Sequence, residues 1–319
     1  MSYTKLFDPK PLEPTDGDLV ADQSDGRGYV FNDKIVLAVN TALATGRPLL
    51  VRGDSGVGKS SLAAAITAQL DAPASPWHKL DRVISSRTEA RDLLWDVDHL
   101  RRLQDAHDSD AKIKELHAYV QPGIFWWAFN AESAEKQYER AGNNGPRYDG
   151  SKPGEAKKGR AVVLLDEIDK ADPDLPNNLL VPLGSLKFLC EPTQEPVVAK
   201  RENAPLLVIT SNDERELPAA FLRRCIELFI DVPEEDVLLD IGAQRYSQLT
   251  KKRRERVLQL ILDSRPKDWL GRTRPVPAEY LDALRAVEKL TNKKPDADVD
   301  ALMQSVAPLL IWKSQSTRA

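Results

Sequence analysis

Residues 48–70 read PLLVRGDSGVGKSSLAAAITAQL, and this stretch decides the fold. Leu49, Leu50 and Val51 make a short apolar run suited to a buried strand, and the alanine-rich segment from Ser61 has high intrinsic helix propensity. Between them lies Gly53, Asp54, Ser55, Gly56, Val57, Gly58, Lys59, Ser60, with the spacing G-x-x-x-x-G-K-[ST]. Glycines at these places let the backbone wrap a phosphate, and the N-terminus of the following helix adds a favourable dipole. Lys59 supplies a point charge and Ser60 a hydroxyl able to ligate Mg2+, and the stretch from Gly53 through Ser61 is the expected nucleotide-binding segment. Strand, phosphate-binding turn and helix in that order predict a P-loop arrangement.

Working outward, strand-like and helix-like segments alternate. Upstream, Ile35, Val36, Val39, Ala42 and Leu43 fall at helical spacing, and Gly46 ends that helix. Downstream, HKLDRVI (78–84) is a candidate strand, TEARDLLWDVDHLRRLQDAH (88–107) a long amphipathic helix, and AVVLLDEID (161–169) an apolar strand buried on both faces. PLLVITSN (205–212) repeats that form and CIELFIDV (225–232) closes the series. The alternation predicts an α/β domain with a parallel sheet. From Pro233 only helical periodicities remain, so the chain divides into an irregular arm (1–28), an α/β domain (29–232) and an all-helical domain (233–319). A polar, glycine-rich insertion at 142–160 reads as a mobile surface loop or one that meets a partner.

Composition narrows the function classes. Forty-five basic residues against 49 acidic ones give a net charge of −4, so no overall field favours nucleic acid or an anionic membrane. The basic run KKRRER (251–256) reads as a solvated helix face. Two cysteines, Cys190 and Cys225, make neither a disulfide framework nor a zinc site and are expected to be buried. No signal-like or membrane-spanning apolar run occurs, so the expected compartment is the cytoplasm.

Three further groups carry chemistry. Asp166 and Glu167 stand at the end of an apolar strand, where one carboxylate can hold Mg2+ and the other can polarise an attacking water. Asn212 ends another strand, and carboxyl ends of parallel strands gather ligand-binding groups, so it can hydrogen-bond the water or a γ-phosphate. Arg223 and Arg224 follow at the end of a short helix. They are either surface arginines flanking Cys225 or a finger that stabilises transition-state charge in a neighbouring subunit's site.

Together GRPLLVRGDSGVGKSSLA, RTEARDLLWDVD, YVQPGIFWWAF, VLLDEIDKADPDLPNNLL and VITSNDERELPAAFLRRC resemble an AAA+ ATPase, more narrowly one of the MoxR family, over about residues 29–290. The resemblance implies a P-loop NTPase core with a C-terminal helical lid, ATP and Mg2+ as cofactors, Asp166 and Glu167 as the Walker B pair, and Asn212 as sensor 1. It places Arg224 in the arginine-finger position, with Arg223 as runner-up, and makes Arg274 the sensor 2 cation, with Arg272 as the alternative. It also implies a homo-oligomer, a hexameric ring, acting as a chaperone-like remodeller with a von Willebrand A-domain protein partner, and neither a membrane nor nucleic acid. The rival reading is a nucleotide-dependent interaction switch with little turnover. Two departures stand out: family members carry a glutamate-proline-glycine run and a threonine where this chain has DSGVGKS, and the 142–160 insertion is longer than the family's. The aromatics of YVQPGIFWWAF are either core or a protein-facing surface near the ring pore.

Overall fold

The computed structural model describes residues 4–12, 26–107, 114–148, 150–152, 154, 155, 157, 159–264, 274–291 and 299–310. Arg272, much of the 1–28 arm and parts of the 142–160 insertion lie outside them. In chain order the first elements are α1 (Asp33–Thr45), β1 (Leu49–Arg52), α2 (Lys59–Leu70), β2 (Trp77–Val83), α3 (Ala90–Leu94), β3 (Trp95–Val97), α4 (His99–His107) and β4 (Val120–Pro122). Next come α5 (Ile124–Phe129), α6 (Ala131–Arg140), β5 (Arg160–Asp166), α7 (Asp174–Asn178), α8 (Leu180–Ser185), β6 (Lys187–Cys190), β7 (Glu195–Val198), β8 (Leu206–Ser211), α9 (Ala219–Leu222) and β9 (Ile226–Phe229). The chain then becomes helical: α10 (Glu235–Arg245), α11 (Lys251–Asp263), α12 (Pro277–Leu290) and α13 (Val299–Leu310). Two compact units result, one of Met1–Asp8, Asp33–Arg52 and Ile66–Leu228, the other of Pro9–Asn32, Gly53–Ala65 and Phe229–Ala319.

The first unit is built on a five-stranded parallel sheet in the order β2-β5-β8-β1-β9. The middle strands β5 and β8 are buried along almost their whole length, which is why their sequences are continuous apolar runs rather than alternating ones. Because β1, β5 and β8 are parallel, their carboxyl ends share one edge of the sheet. Helix α5, IFWWAF, is buried at all six positions and packs on β2 and β5. Phe125, Trp126, Trp127 and Phe129 are therefore core, and a substrate-gripping surface made of them is ruled out.

The segment 88–107 is not one helix. Trp95 and Val97 turn inward with Asp96 outward between them, a strand period, and pair antiparallel with Val120–Pro122. Asp98 then restarts the helix by accepting the Arg101 N–H at 2.9 Å. Helical spacing of the outer residues hid this break, because a cross-strand partner over twenty residues away overrides local propensity. A second hairpin, β6 with β7, was not anticipated either, and it buries Cys190 and Val197 on its inner face.

Two segments expected to lie loosely on the surface are anchored. Phe7 is 1% exposed and is clasped by the buried Asn40 of α1, whose Oδ1 accepts the Leu6 and Phe7 N–H groups while its amide donates to the Phe7 carbonyl. Within the polar insertion, Arg147 makes two hydrogen bonds to Glu135 of α6, at 2.9 and 2.8 Å, and stacks over the Trp127 ring 4.6 Å from its centroid. Both side chains of that pair are shielded from water, so their attraction is little screened.

The second unit has its own core of Leu238, Val257, Leu258, Ile261, Tyr280, Leu284, Val287 and Met303 from α10 to α13. All three arginines of KKRRER serve this unit. Arg254 donates to the Tyr246 and Leu249 carbonyls, Arg253 to the Thr291 hydroxyl, and Arg256 pairs with Asp300. The three arginines of the run are thus tied into their own unit, while Lys251 and Lys252 are exposed. Among the described residues, no helix is long and apolar enough to cross a membrane.

Candidate active site

In the second unit the glycine-rich turn forms a cradle that only glycines permit. Gly53 has φ +143° and Gly56 +83°, both in the region that favours glycine. A Cβ on Gly53 would lie 2.3 Å from the Ile230 carbonyl oxygen, and one on Gly56 2.8 Å from a Val276 methyl. Lys59, largely buried, donates to the Gly53 and Asp54 carbonyls at 2.8 Å each, so its ammonium stands over the concave side of the turn. Ser60 is exposed at the start of α2, with Ser61 beside it. The Gly56 carbonyl accepts the N–H of Ala278, one of the free donors in the first turn of α12. Arg274, two residues before Val276, enters the same neighbourhood and pairs with Glu234. Gly53→Ala should therefore lower the thermal midpoint by roughly 5 °C or more and weaken nucleotide binding, checked by melting and direct titration.

Tyr29, which the sequence reading passed over, stands beside this cradle. A Cβ on Gly58 would lie 3.5 Å from its ring, and Phe31 packs against it at 5.0 Å between centroids. Burial pushes its hydroxyl well above the ordinary tyrosine range. An aromatic wall next to a phosphate cradle is suited to a flat base.

The first unit supplies the carboxylates, at the carboxyl edge of its sheet. Thr210 of β8, 1% exposed, donates to Asp166 and accepts the Glu167 N–H at 2.9 Å. Glu167 itself adopts φ +61°, a left-handed turn that swings the chain off β5 at once. Its carboxylate takes a hydrogen bond from Lys170 at 2.8 Å, which raises the lysine above its usual range. Asn212 follows β8 directly, and its N–H donates to Asp169 at 3.1 Å. Asp169 is buried in this network. Thr210 and Asp169 were not foreseen as site residues. The available signal was the hydroxyl pair Thr210 and Ser211 closing an apolar strand, with Thr210 one residue beyond Ile209 as Asp166 is one beyond Leu165, the last pair of the β5–β8 ladder.

Arg223 and Arg224 lie elsewhere. The Ile226 N–H donates to the Pro48 carbonyl at 2.8 Å, so β9 starts beside the start of β1. Arg224 thus precedes the amino edge of the sheet, whereas Asp166, Glu167 and Asn212 follow its carboxyl edge. Four strand residues at about 3.3 Å each separate the two edges by roughly 13 Å or more. Both arginines are exposed. They cannot reach their own chain's carboxylates.

The donor set fits ATP and Mg2+. The cradle, its lysine and a helix N-terminus present positive groups to phosphates. Among the described residues no group of three or more His, Cys, Asp or Glu could hold a metal alone. Ser60 in one unit and Asp166 in the other each offer an oxygen of the kind Mg2+ takes, an ion that keeps several waters and shares substrate phosphates.

Residues 48–225 match the family model described as AAA domain (dynein-related subfamily). No curated protein matches the chain. Among solved structures it is similar, at 14% identity and a TM-score of 0.44, to a chain of a HORMA, CdnC and Trip13 complex from E. coli MS115-1, over 84% of this chain and 76% of that one.

Proposed function

This chain belongs to the dynein-related subfamily of AAA domains, and on that premise we propose that it is a Mg2+-dependent ATPase that acts as an oligomer. The cradle of Gly53–Ser60 holds the triphosphate, and Lys59 leaves the loop carbonyls to pair with its oxygens. Ser60 and Asp166 would hold Mg2+, which would supply neutralisation of phosphate charge. Glu167 takes the proton of the attacking water as that water approaches the γ-phosphate, and Asn212 orients it. Arg274 exchanges Glu234 for the phosphates when nucleotide arrives. Arg224 of a neighbouring copy, with Arg223 as its alternate, supplies the remaining positive charge in the transition state.

The observation that supports this reading is the separation of the carboxylates and the arginines to opposite edges of one sheet: if Arg224 takes part in the reaction, it does so in the site of another copy. The finer reading is a MoxR-like remodeller, working as a hexameric ring in the cytoplasm with a von Willebrand A-domain partner. Its support is the order and spacing of the motif segments. The deciding experiment is the ATPase rate per subunit against protein concentration, with sedimentation on the same samples. The specific rate is expected to rise as large particles appear. A flat rate from a sedimenting monomer would overturn the shared site and favour the nucleotide-dependent switch.

A further inference from the structure

We infer that Asp169 is a positioning residue that fixes Asn212 relative to Glu167, an inference that rests on the sensor reading of Asn212 given above. The ladder between β5 and β8 holds Leu165 against Ile209 and ends there. Beyond that point the site has no backbone pairing to keep its two halves in register, and side chains take over. Thr210 bridges to Asp166 and to the Glu167 N–H. The left-handed Glu167 then turns the chain so that Asp169, only two residues on, faces the loop after β8. There Oδ2 of Asp169 accepts the N–H of Asn212 at 3.1 Å and of Glu214 at 3.0 Å.

Asp169 is 2% exposed, and its second oxygen, Oδ1, is buried with no hydrogen-bond partner. A carboxylate in that state is a poor choice for stability alone, because burial penalises the charge and one oxygen goes unsatisfied. It is a good choice for rigidity. A charged acceptor holds two N–H groups more firmly than a neutral one. The same loop is tied from its other side by Arg52, which pairs with Asp213 at 2.7 Å and Glu227 at 2.9 Å. Those partners are about one-third exposed or more and are screened by water, so the buried carboxylate is the stronger of the two tethers. Glu167 and Asn212 must both address one water, and misplacement of either by an ångström is enough to slow the reaction substantially.

A double-mutant cycle of Asp169→Ala and Asn212→Ala tests this. Each single change is expected to lower kcat by about tenfold or more with ATP affinity within about threefold, and the double variant should fall no more than about threefold below the worse single one. Losses that multiply in the double variant would show that Asp169 acts independently of Asn212 and would overturn the inference. An unchanged kcat in Asn212→Ala alone would instead sink the sensor reading on which it rests. Should Asp169→Ala fail to fold, Asp169→Asn keeps a weaker, neutral acceptor for both N–H groups and is expected to lower kcat clearly less than Asn212→Ala does. A loss in Asp169→Asn as large as that of Asn212→Ala, with the fold intact, would overturn positioning through those two bonds.

Discussion

Replacing Glu167 by Gln is expected to leave ATP affinity within about threefold of the unaltered chain while slowing hydrolysis by at least about 100-fold. Glutamine keeps the shape and one acceptor oxygen of the glutamate, but it cannot take a proton from water. The backbone that presents the side chain does not depend on the carboxylate. Its left-handed turn is pinned by the bond from the Glu167 N–H to Thr210, and Thr210 is also held by Asp166. The substitution does release Lys170, whose ion pair with Glu167 has both side chains about one-third exposed or more, so little stability goes with it. Single-turnover hydrolysis and equilibrium titration on the same preparation separate the two quantities. A rate within a fewfold of the unaltered chain, with binding intact, would remove Glu167 from the chemistry and leave Asp166 as the only carboxylate of the pair with a role.

The parts of the site that were legible in the sequence are those whose geometry is set by a few consecutive residues. The P-loop spacing dictates its own turn, because Gly53 and Gly56 occupy conformations and close approaches that other residues resist. The places of Asp166, Glu167 and Asn212 at the carboxyl edge of the sheet were legible because an apolar strand that ends in a polar group marks that edge. What escaped depends on which strands become neighbours. Thr210 meets Asp166 only because β8 lies beside β5, and Asp169 meets Asn212 only because of that pairing and the turn at Glu167. The same cause misread residues 88–107, where Trp95–Val97 finds its partner at Val120–Pro122. Charge composition was equally silent about Arg147, which looks like a loop residue until Glu135, Trp127 and Tyr138 are brought around it.

Arg224→Ala is expected to lower kcat by about 1,000-fold, the effect of removing an arginine finger, and that loss should be partly repaired by adding the Glu167→Gln protein, itself severely impaired. Neither protein can be rescued by the other if each chain completes its own site. If the arginine works across an interface, a mixed ring contains junctions that join an intact Glu167 from one copy to an intact Arg224 from the next. With equal amounts and random mixing, about a quarter of the junctions of a head-to-tail ring are of this kind, so about a quarter of the unaltered rate should return. Topology, more than the position of one side chain, sets this expectation. Arg224 precedes β9 at the edge of the sheet where β1 begins, and the carboxylates follow β5 at the other edge, so no rotamer of an exposed arginine closes the gap. Copies carrying two different affinity tags show whether the rings have truly mixed. No recovery in rings shown to be mixed would take Arg224 out of the neighbour's site, and repeating the mixture with Arg223→Ala would then decide whether its sequence neighbour holds that place.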